Sequence, residues 1–398
     1  MRKLAFALAA TVAFGIPAAA FAADTKIGIL MDVTGPIASF IPPIQNAANL
    51  ALRQVNEQGG VLDGNATAVF EDTTGTAKGA VEAAGKLVKE HNVSVVLGAF
   101  MSATTIAAAE EVTIPAGVVQ ISPAASSDAI SAMKDNDLVY RIAASDLQQG
   151  EALAKMAIDA GIRKVAVTYA DAGKGVAASF VEAFKEADGE VTGSEAHGER
   201  KGSYLAQLDT LAKGKADTLV VFASAGGSGA TIVKEAIEGK LFSRFVGGEG
   251  LRDGALIKAV GSGALKDSFF SALAAADESP GRKALHEAFN KAFKDGADKA
   301  FVDQTYDATF LALLAIEKAG SRDKTKIAAA LREVAMAPGE KVGPGEWAKA
   351  KALIKDGKDI DYEGAGGAYE FDANGDVLVE IGKFMADGDG FKQVPMTD

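Results

Sequence analysis

The sequence predicts an α/β protein made of two successive units, each with a parallel β-sheet covered by helices. Three observations indicate this class. Short runs typical of strands alternate with helical stretches from Asp24 onward, the pattern of parallel sheets with helices on both faces. The same alternation starts again after residues 141–148. At roughly 100–200 residues per domain, the 398 residues suffice for two to three folding units.

The strand candidates of the first unit are residues 26–31, 66–70, 93–97 and 117–121. A helix is predicted over residues 44–58, where apolar residues recur at helical spacing and the glycine pair Gly59-Gly60 ends the run. A second helix is predicted over residues 77–90, whose last turns carry lysines where the helix dipole favours cations.

The second unit is expected to hold strands at residues 164–168, 218–222 and 245–247. Helices are predicted to follow over residues 280–294 and 305–318. The glycine-rich tail contains Asn374-Gly375 inside the segment 371–377, which predicts a β-hairpin. The sequence shows no repeat of fixed period and no low-complexity linker.

Residues 1–22 have the three-part layout of a cleaved secretory signal. Arg2 and Lys3 precede an apolar run over residues 4–16, and Ala20-Phe21-Ala22 supplies the small residues of a cleavage site. A membrane anchor is the alternative, because residues 4–23 carry no charge and nearly reach spanning length. Pro17 and the Ala-x-Ala ending favour cleavage, so an exported protein is expected.

Composition excludes several classes of function. The absence of cysteine excludes a lipid anchor on cysteine, disulfides, a thiol nucleophile and cysteine-ligated metal. The net charge of −12 disfavours nucleic acid or anionic membrane as the main partner. The three histidines, His91, His197 and His286, lie far apart and are interpreted as surface residues. Phosphate-loop and Gly-x-Ser-x-Gly motifs are missing, so we expect neither an enzyme nor a cofactor.

Two further motifs have ordinary explanations. The glycine-rich stretch at residues 226–230 follows a strand and opens a helix, so it could hold an anion on backbone N–H groups, although a tight turn is the favoured interpretation. Asp372, Asn374 and Asp376 have the spacing of calcium ligands. Val377 and Lys383 replace the glycine and the glutamate that such a loop needs, so a hairpin is preferred and no metal is expected.

Hydroxyl-rich loops follow two strands of the first unit, at residues 98–105 and 121–128. Each lies beyond the carboxyl end of a strand, where open α/β sheets bind ligands. A helix that begins there presents N–H donors, and Ser or Thr hydroxyls add more, which together suit a carboxylate. The alternative is that Ser102 and Ser126 only cap helices.

These loops, with other strings along the chain, resemble the periplasmic leucine/isoleucine/valine-binding proteins of ABC uptake systems. The resemblance covers nearly the whole mature chain. Its other strings are Ile27-Gly28-Ile29, Thr34-Gly35-Pro36, Ala47 to Gly60, Phe245 to Gly250, Thr305 to Ala308 and Asp361 to Gly364.

The resemblance implies the type I periplasmic binding fold, in which two doubly wound parallel-sheet lobes are joined by a three-strand hinge. It divides the chain into a signal peptide (residues 1–22), lobe 1 (24–143 and 273–366) and lobe 2 (144–272 and 367–398). A solute would bind in the cleft, and hinge bending would close the lobes over it, as is general for this class of protein.

The resemblance also implies a set of ligand-binding residues. The carboxylate site of the family falls on Ser102, Ser126 and backbone groups of Ala124, and the acid that pairs with the α-ammonium falls on Glu249. Aromatic positions around the ligand side chain fall on Phe40 and Phe301, either of which could instead belong to the core. Ser224 occupies another position that is aromatic in the family.

Departures from the family pattern bear on specificity. A tyrosine expected after the first strand of lobe 2 is replaced by Ala172, and Ser224 replaces a second ring, which leaves room for a larger or more polar solute. The family's disulfide positions fall on Thr74 and Met101.

The expected function is that of an extracytoplasmic, periplasmic receptor that acts as a monomer. It is expected to bind an α-amino acid, with aliphatic or branched-chain amino acids as the first candidates, and to deliver it to an inner-membrane ABC permease. The alternatives are an amide, urea derivative or aromatic acid as the ligand of the same fold, or a sensory ligand-binding protein.

Overall fold

Two separate β-sheets organise the computed structural model, which describes residues 23–35, 37–199, 201–274 and 279–396. The predicted signal peptide lies outside these ranges. The described strands are β1 Thr25–Met31, β2 Ala66–Asp72, β3 Val95–Leu97, β4 Val119–Ser122, β5 Val139–Arg141, β6 Lys164–Tyr169, β7 Glu190–Ala196, β8 Thr218–Phe222, β9 Arg244–Gly247, β10 Phe269–Leu273, β11 Glu340–Val342, β12 Ile360–Gly364, β13 Gly367–Ala368, β14 Ile381–Asp387 and β15 Gly390–Val394.

The helices connect these strands and cover the sheets. They are α1 Ile41–Glu57, α2 Ala77–Lys89, α3 Ser102–Ala108, α4 Asp128–Ser131, α5 Asp146–Asp159, α6 Lys174–Glu186, α7 Leu205–Ala212, α8 Ala230–Glu238, α9 Gly254–Val260, α10 Pro280–Phe293, α11 Val302–Ala319, α12 Lys324–Ala335 and α13 Trp347–Lys355. Within the described ranges, none of them has the length and apolar character that a membrane crossing requires.

The predicted strands and helices are confirmed, with differences of a few residues at their ends. Helix α1 begins before the predicted residue 44 because Pro42 and Pro43 lie in its first turn, where the missing N–H groups break no helical bond. The hairpin in the tail is also confirmed: Phe371 bridges Val377 in antiparallel fashion, and the turn between them contains Gly375 with a positive φ.

The first sheet has the strand order β2-β1-β3-β4-β5 and is parallel throughout. The second sheet has the order β15-β14-β10-β9-β8-β6-β7. Strands β6 to β10 are parallel, but β14 and β15 join one edge in antiparallel fashion. The purely parallel sheet that was expected for lobe 2 is therefore extended by a hairpin, and a small third sheet of order β11-β12-β13 was not predicted.

The chain passes between the two sheets three times. After β5 the chain passes from the first sheet to the second. After β10 it leaves the second sheet for helices that pack on the first core, and at β14 it returns to the second sheet. The lobe boundaries remain predictions. The packing of Tyr369, Phe371 and Val377 into the first core favours a third boundary after Val377 rather than at Gly366.

A buried ion pair lies where the first and third crossings meet. Arg141, at the end of β5, is fully buried and donates from Nε and Nη2 to both carboxylate oxygens of Asp376, at 2.6 and 2.9 Å. Its remaining donors reach the carbonyl of Ser127 at 2.9 Å and the hydroxyl of Ser131 at 2.6 Å. Asp376 is thus a structural anion, which agrees with the rejection of a calcium loop.

Helix α11 forms the centre of the first core and carries a second buried carboxylate, Asp307. This group accepts hydrogen bonds from the hydroxyls of Tyr362 and Tyr369, at 2.7 and 2.5 Å, and from the N–H groups of Ala365 and Gly366. Burial raises the pKa of Asp307 to about 6, although these hydrogen bonds oppose the rise. Asp307 therefore fixes the β12–β13 turn against α11.

Candidate functional site

The two hydroxyl-rich loops of the first sheet lie side by side, because the parallel neighbours β3 and β4 end at the same edge. Ser102 Oγ accepts hydrogen bonds from the N–H groups of Ser126 and Ser127, each at 3.2 Å. In these contacts the hydroxyl oxygen is the acceptor, so the hydroxyl proton remains free to be donated to another group. The structure thus brings Ser102 and Ser126 together, with Ser102 able to act as a donor.

The capping alternative for these two serines is wrong. The residue that precedes α3 is Met101, which makes no side-chain cap, and Ser102 is the first helical residue. The cap of α4 is Ser127, whose hydroxyl accepts from the N–H of Ala129 at 3.3 Å. Half-buried Ala124 lies in the same loop, with its N–H 3.4 Å from Ser122 Oγ.

Asp146 connects this loop to the start of α5, on the second lobe. Its N–H donates to the carbonyl of Ser126 at 2.7 Å, and the N–H of Leu147 donates to Asp128 at 3.0 Å. Burial raises the pKa of the Asp146 carboxyl, and a hydrogen bond from the Ser126 hydroxyl opposes the rise. The loop at residues 121–128 is therefore anchored to the residues that follow the first crossing between lobes.

Glu249 lies on the second lobe, in a short helical turn that follows the carboxyl end of β9. Its side chain is 57% exposed, and its nearest cation is Arg252, at 3.9 Å. Desolvation of the carboxylate raises the pKa of Glu249. The charges of Arg252 and Arg282 lower this pKa, whereas the charge of Asp303 raises it. Arg282 and Asp303 belong to the helices that return to the first lobe, so charged groups of that lobe act on Glu249.

The remaining predicted residues are exposed. Phe40 ends a short turn before α1 and is 44% exposed, and Phe301 precedes α11 with a left-handed backbone (φ 65°) and is 37% exposed. Ser224 is exposed at the end of the loop after β8. Large exposed rings suit a surface that a ligand covers, but the ligand contacts of these three residues stay predictions.

The glycine-rich stretch before α8 holds an anion that the chain itself supplies. Glu199 accepts a hydrogen bond from the N–H of Ser228 at 2.8 Å, and any Cβ added to Gly227 would collide with this carboxylate. The stretch is therefore a tight turn, as the sequence favoured. It also holds an anion on a backbone N–H, as the alternative suggested, and that anion is the carboxylate of Glu199.

The interpretation of all three histidines as surface residues is wrong for His197, which is only 4% exposed. Its Nδ1 lies 2.8 Å from Thr168 Oγ1, and its Nε2 lies 2.8 Å from Ser228 Oγ. The fold buries this ring because it connects the ends of β6 and β7 to the start of α8. His286 is mostly covered as well and lies 2.8 Å from Asp303.

We expect His197 to make the protein less stable in mild acid. Burial lowers the pKa of His197. The unfolded chain, with an ordinary pKa near about 6.5, then binds a proton more readily, so folding stability is lost as pH falls below that value. Urea unfolding at neutral and acid pH should show a smaller loss for His197→Gln than for the wild type. An equal loss in both proteins would contradict this role.

Several charged residues near the predicted site residues were not predicted, namely Asp146, Arg252, Arg282 and Asp303. Arg252 carried the only local signal, because it follows the predicted ligand residue Glu249 by three residues. Arg282 and Asp303 lie far from Glu249 in sequence, so only the fold reveals that their charges act on it.

A family model described as "Periplasmic binding protein" matches residues 24–371. The chain is 28% identical to the leucine-, isoleucine-, valine-, threonine- and alanine-binding protein of Pseudomonas aeruginosa, over 83% of this chain and 88% of the relative.

Two solved structures have similar folds. One is the branched-chain amino acid transporter substrate-binding protein of Streptococcus pneumoniae in complex with isoleucine (TM-score 0.74, 22% identity, 94% of this chain and 99% of that one). The other is a solute-binding protein of an ABC transporter from R. palustris in complex with benzoate (TM-score 0.74, 20% identity, 94% and 96%).

Proposed function

Because the chain belongs to the periplasmic binding protein family, we propose that it is the extracytoplasmic receptor of an ABC uptake transporter and that its ligand is an α-amino acid. One observation supports this proposal: hydroxyl and N–H donors lie at the edge of one lobe, and the carboxylate of Glu249 follows the carboxyl end of a strand in the other. Donors on one side and an acid on the other match the two charges of an amino acid.

In this proposal Ser102, Ser126 and the backbone of Ala124 receive the α-carboxylate, and Glu249 receives the α-ammonium. Phe40, Phe301 and Ser224 surround the side chain. A ligand that contacts both lobes stabilises the closed form in proportion to its higher affinity for that form. The permease then recognises closure as a sign of occupancy.

An aliphatic amino acid is the first ligand to test, since the Pseudomonas aeruginosa relative is named for five small or aliphatic amino acids. The second candidate is an aromatic acid, amide or urea derivative. It is favoured by Ala172 and Ser224, which stand where the family carries rings, and by the benzoate complex of a protein of similar fold.

The proposal includes a location and a partner. We infer that residues 1–22 direct export and are cleaved, that the mature monomer resides in the periplasm, and that an inner-membrane permease is its partner. Catalysis has no part in the proposed function. Mass spectrometry of the mature N-terminus would test the cleavage directly.

The identity of the ligand is tested by mass spectrometry of any small molecule that copurifies with the protein and is released on denaturation. Thermal unfolding with a panel of solutes provides the independent measurement, since a ligand that binds only the folded state raises the melting temperature. The expected result is a shift with aliphatic amino acids. A shift with aromatic acids alone would replace the amino acid assignment.

We expect Ser102→Ala to weaken amino acid binding by about 1–3 kcal/mol, because a buried carboxylate loses a hydrogen-bond donor. The variant also loses the acceptor for the N–H groups of Ser126 and Ser127. Calorimetric titration should show the loss. The control is Ser131→Ala, which removes a hydroxyl that donates to Asp376 of the Arg141–Asp376 pair. This variant weakens the support of the loop without removing a predicted ligand contact. Normal binding by Ser102→Ala would show that the anion lies elsewhere.

A further inference from the structure

Arg252 is held in the cleft without a hydrogen bond for its guanidinium. In the described part of the chain, the side chain has a single ion-pair partner, the Glu249 carboxylate at 3.9 Å, which is beyond hydrogen-bond distance. Its Nε is buried and has no partner among the described residues. A guanidinium carries five N–H donors, and a buried donor without an acceptor is unfavourable by about 1–3 kcal/mol.

The position of this guanidinium is nevertheless fixed. Its carbon lies 4.5 Å from the ring centroid of Phe384 in β14, a cation–π contact, and its side chain is 24% exposed. Stacking on an aromatic face holds the planar group, and the exposed part of the side chain leaves some of its N–H donors within reach of a ligand. Arg252 is thus an oriented set of donors beside Glu249.

The facing lobe presents another arginine. Arg282 donates from Nε to Asp303 at 2.8 Å, and His286 contacts the same carboxylate. The charge of Arg282 is close enough to affect both Glu249 and Arg252. When the lobes close, the two guanidinium groups approach each other, and an anion between them would offset their repulsion.

We propose that Arg252 binds an anionic group on the side chain of the ligand, so that the protein accepts amino acids with an acidic side chain. This inference rests on the proposed function, because it assumes that the ligand ammonium lies at Glu249. The two charged groups are 3.9 Å apart, so a ligand with ammonium on Glu249 places a side-chain carboxylate within reach of Arg252. A carboxylate and a guanidinium form paired hydrogen bonds.

Ala172 and Ser224 agree with this inference. Both stand where the resembling family has rings, and Ser224 is exposed, so this lobe offers room and polarity instead of an apolar enclosure. An aliphatic side chain would leave the Arg252 donors without acceptors in the closed form, whereas an acidic side chain would satisfy them.

The test uses pairs of probes that differ only in charge: L-glutamate with L-glutamine, and L-aspartate with L-asparagine. Calorimetric titration of the wild type should show that at least one acid binds about tenfold or more tightly than its amide. Arg252→Met, which keeps an unbranched apolar chain over Phe384, should abolish that ratio through loss of acid binding. Arg252→Lys keeps the charge and should restore part of it. Arg163→Met, an exposed arginine of the same lobe, should leave the ratio unchanged.

The outcomes separate this inference from the proposed function. A wild type that does not prefer either acid over its amide, or that binds none of the four probes, overturns the inference. An acid preference that survives in Arg252→Met overturns it too, provided the variant melts as the wild type does. L-leucine is titrated in parallel: failure of the wild type to bind leucine or any other amino acid contradicts the proposed function itself.

Discussion

Glu249→Gln is expected to weaken amino acid binding by roughly 3 kcal/mol or more, about a hundredfold in Kd. In the closed cleft the ligand ammonium is desolvated, and an ion without a partner there is unfavourable by several kcal/mol. The structure adds a second reason. Arg252 and Arg282 both act on Glu249, so removal of its negative charge would leave the ammonium facing two cations.

The measurement is calorimetric titration of both proteins with the amino acid that binds the wild type. Glu182→Gln removes an exposed carboxylate from α6 of the same lobe and is the matched control, with affinity expected to stay unchanged. A carboxylic acid without the amino group should bind Glu249→Gln no more weakly than it binds the wild type. Equal amino acid affinity of Glu249→Gln and the wild type would remove Glu249 from the site.

Asp376→Asn is expected to lower the free energy of unfolding by about 3–5 kcal/mol, because it leaves Arg141 charged and buried without its carboxylate. Arg141 is fully buried, and Asp376 accepts hydrogen bonds from its Nε and Nη2. The same pair holds Ser131 and thereby α4, which directly follows the Ser126 loop. Weaker ligand binding is therefore expected to accompany the loss of stability.

Urea unfolding of Asp376→Asn and the wild type measures this effect. The control is Asp159→Asn, which breaks an exposed ion pair with Lys155 and is expected to change stability by about 1 kcal/mol or less. If the two variants lose similar amounts of stability, the buried Arg141–Asp376 pair does not contribute to the free energy of unfolding as expected. Arg141 would then be stabilised by other groups in the absence of Asp376.

Patterns of local sequence predicted the elements of the fold well. Helical spacing that ends at Gly59-Gly60 and the Asn374-Gly375 turn are short-range signals, and both are confirmed. The antiparallel strands β14 and β15 were missed because they join the second sheet far from its other strands in sequence. A strand pairing of that kind leaves no local pattern.

The candidate site was predictable only where its residues follow strands. Ser102 and Ser126 follow neighbouring strands of one sheet, so their approach could be inferred from the sequence. The burial of His197 could not, because its partners Thr168 and Ser228 come from two other segments. Arg252 was overlooked for a different reason: its lack of hydrogen bonds is a property of the folded environment and not of its neighbours in sequence.

A crystal structure of the protein with its copurified ligand, or with the amino acid that raises its melting temperature most, tests the central claim most directly. The account predicts closed lobes, with the ligand carboxylate on Ser102 and the Ser126 loop and its ammonium about 2.7–3.2 Å from the Glu249 carboxylate. A bound ligand whose ammonium contacts other groups, with Glu249 turned towards bulk water, would contradict it.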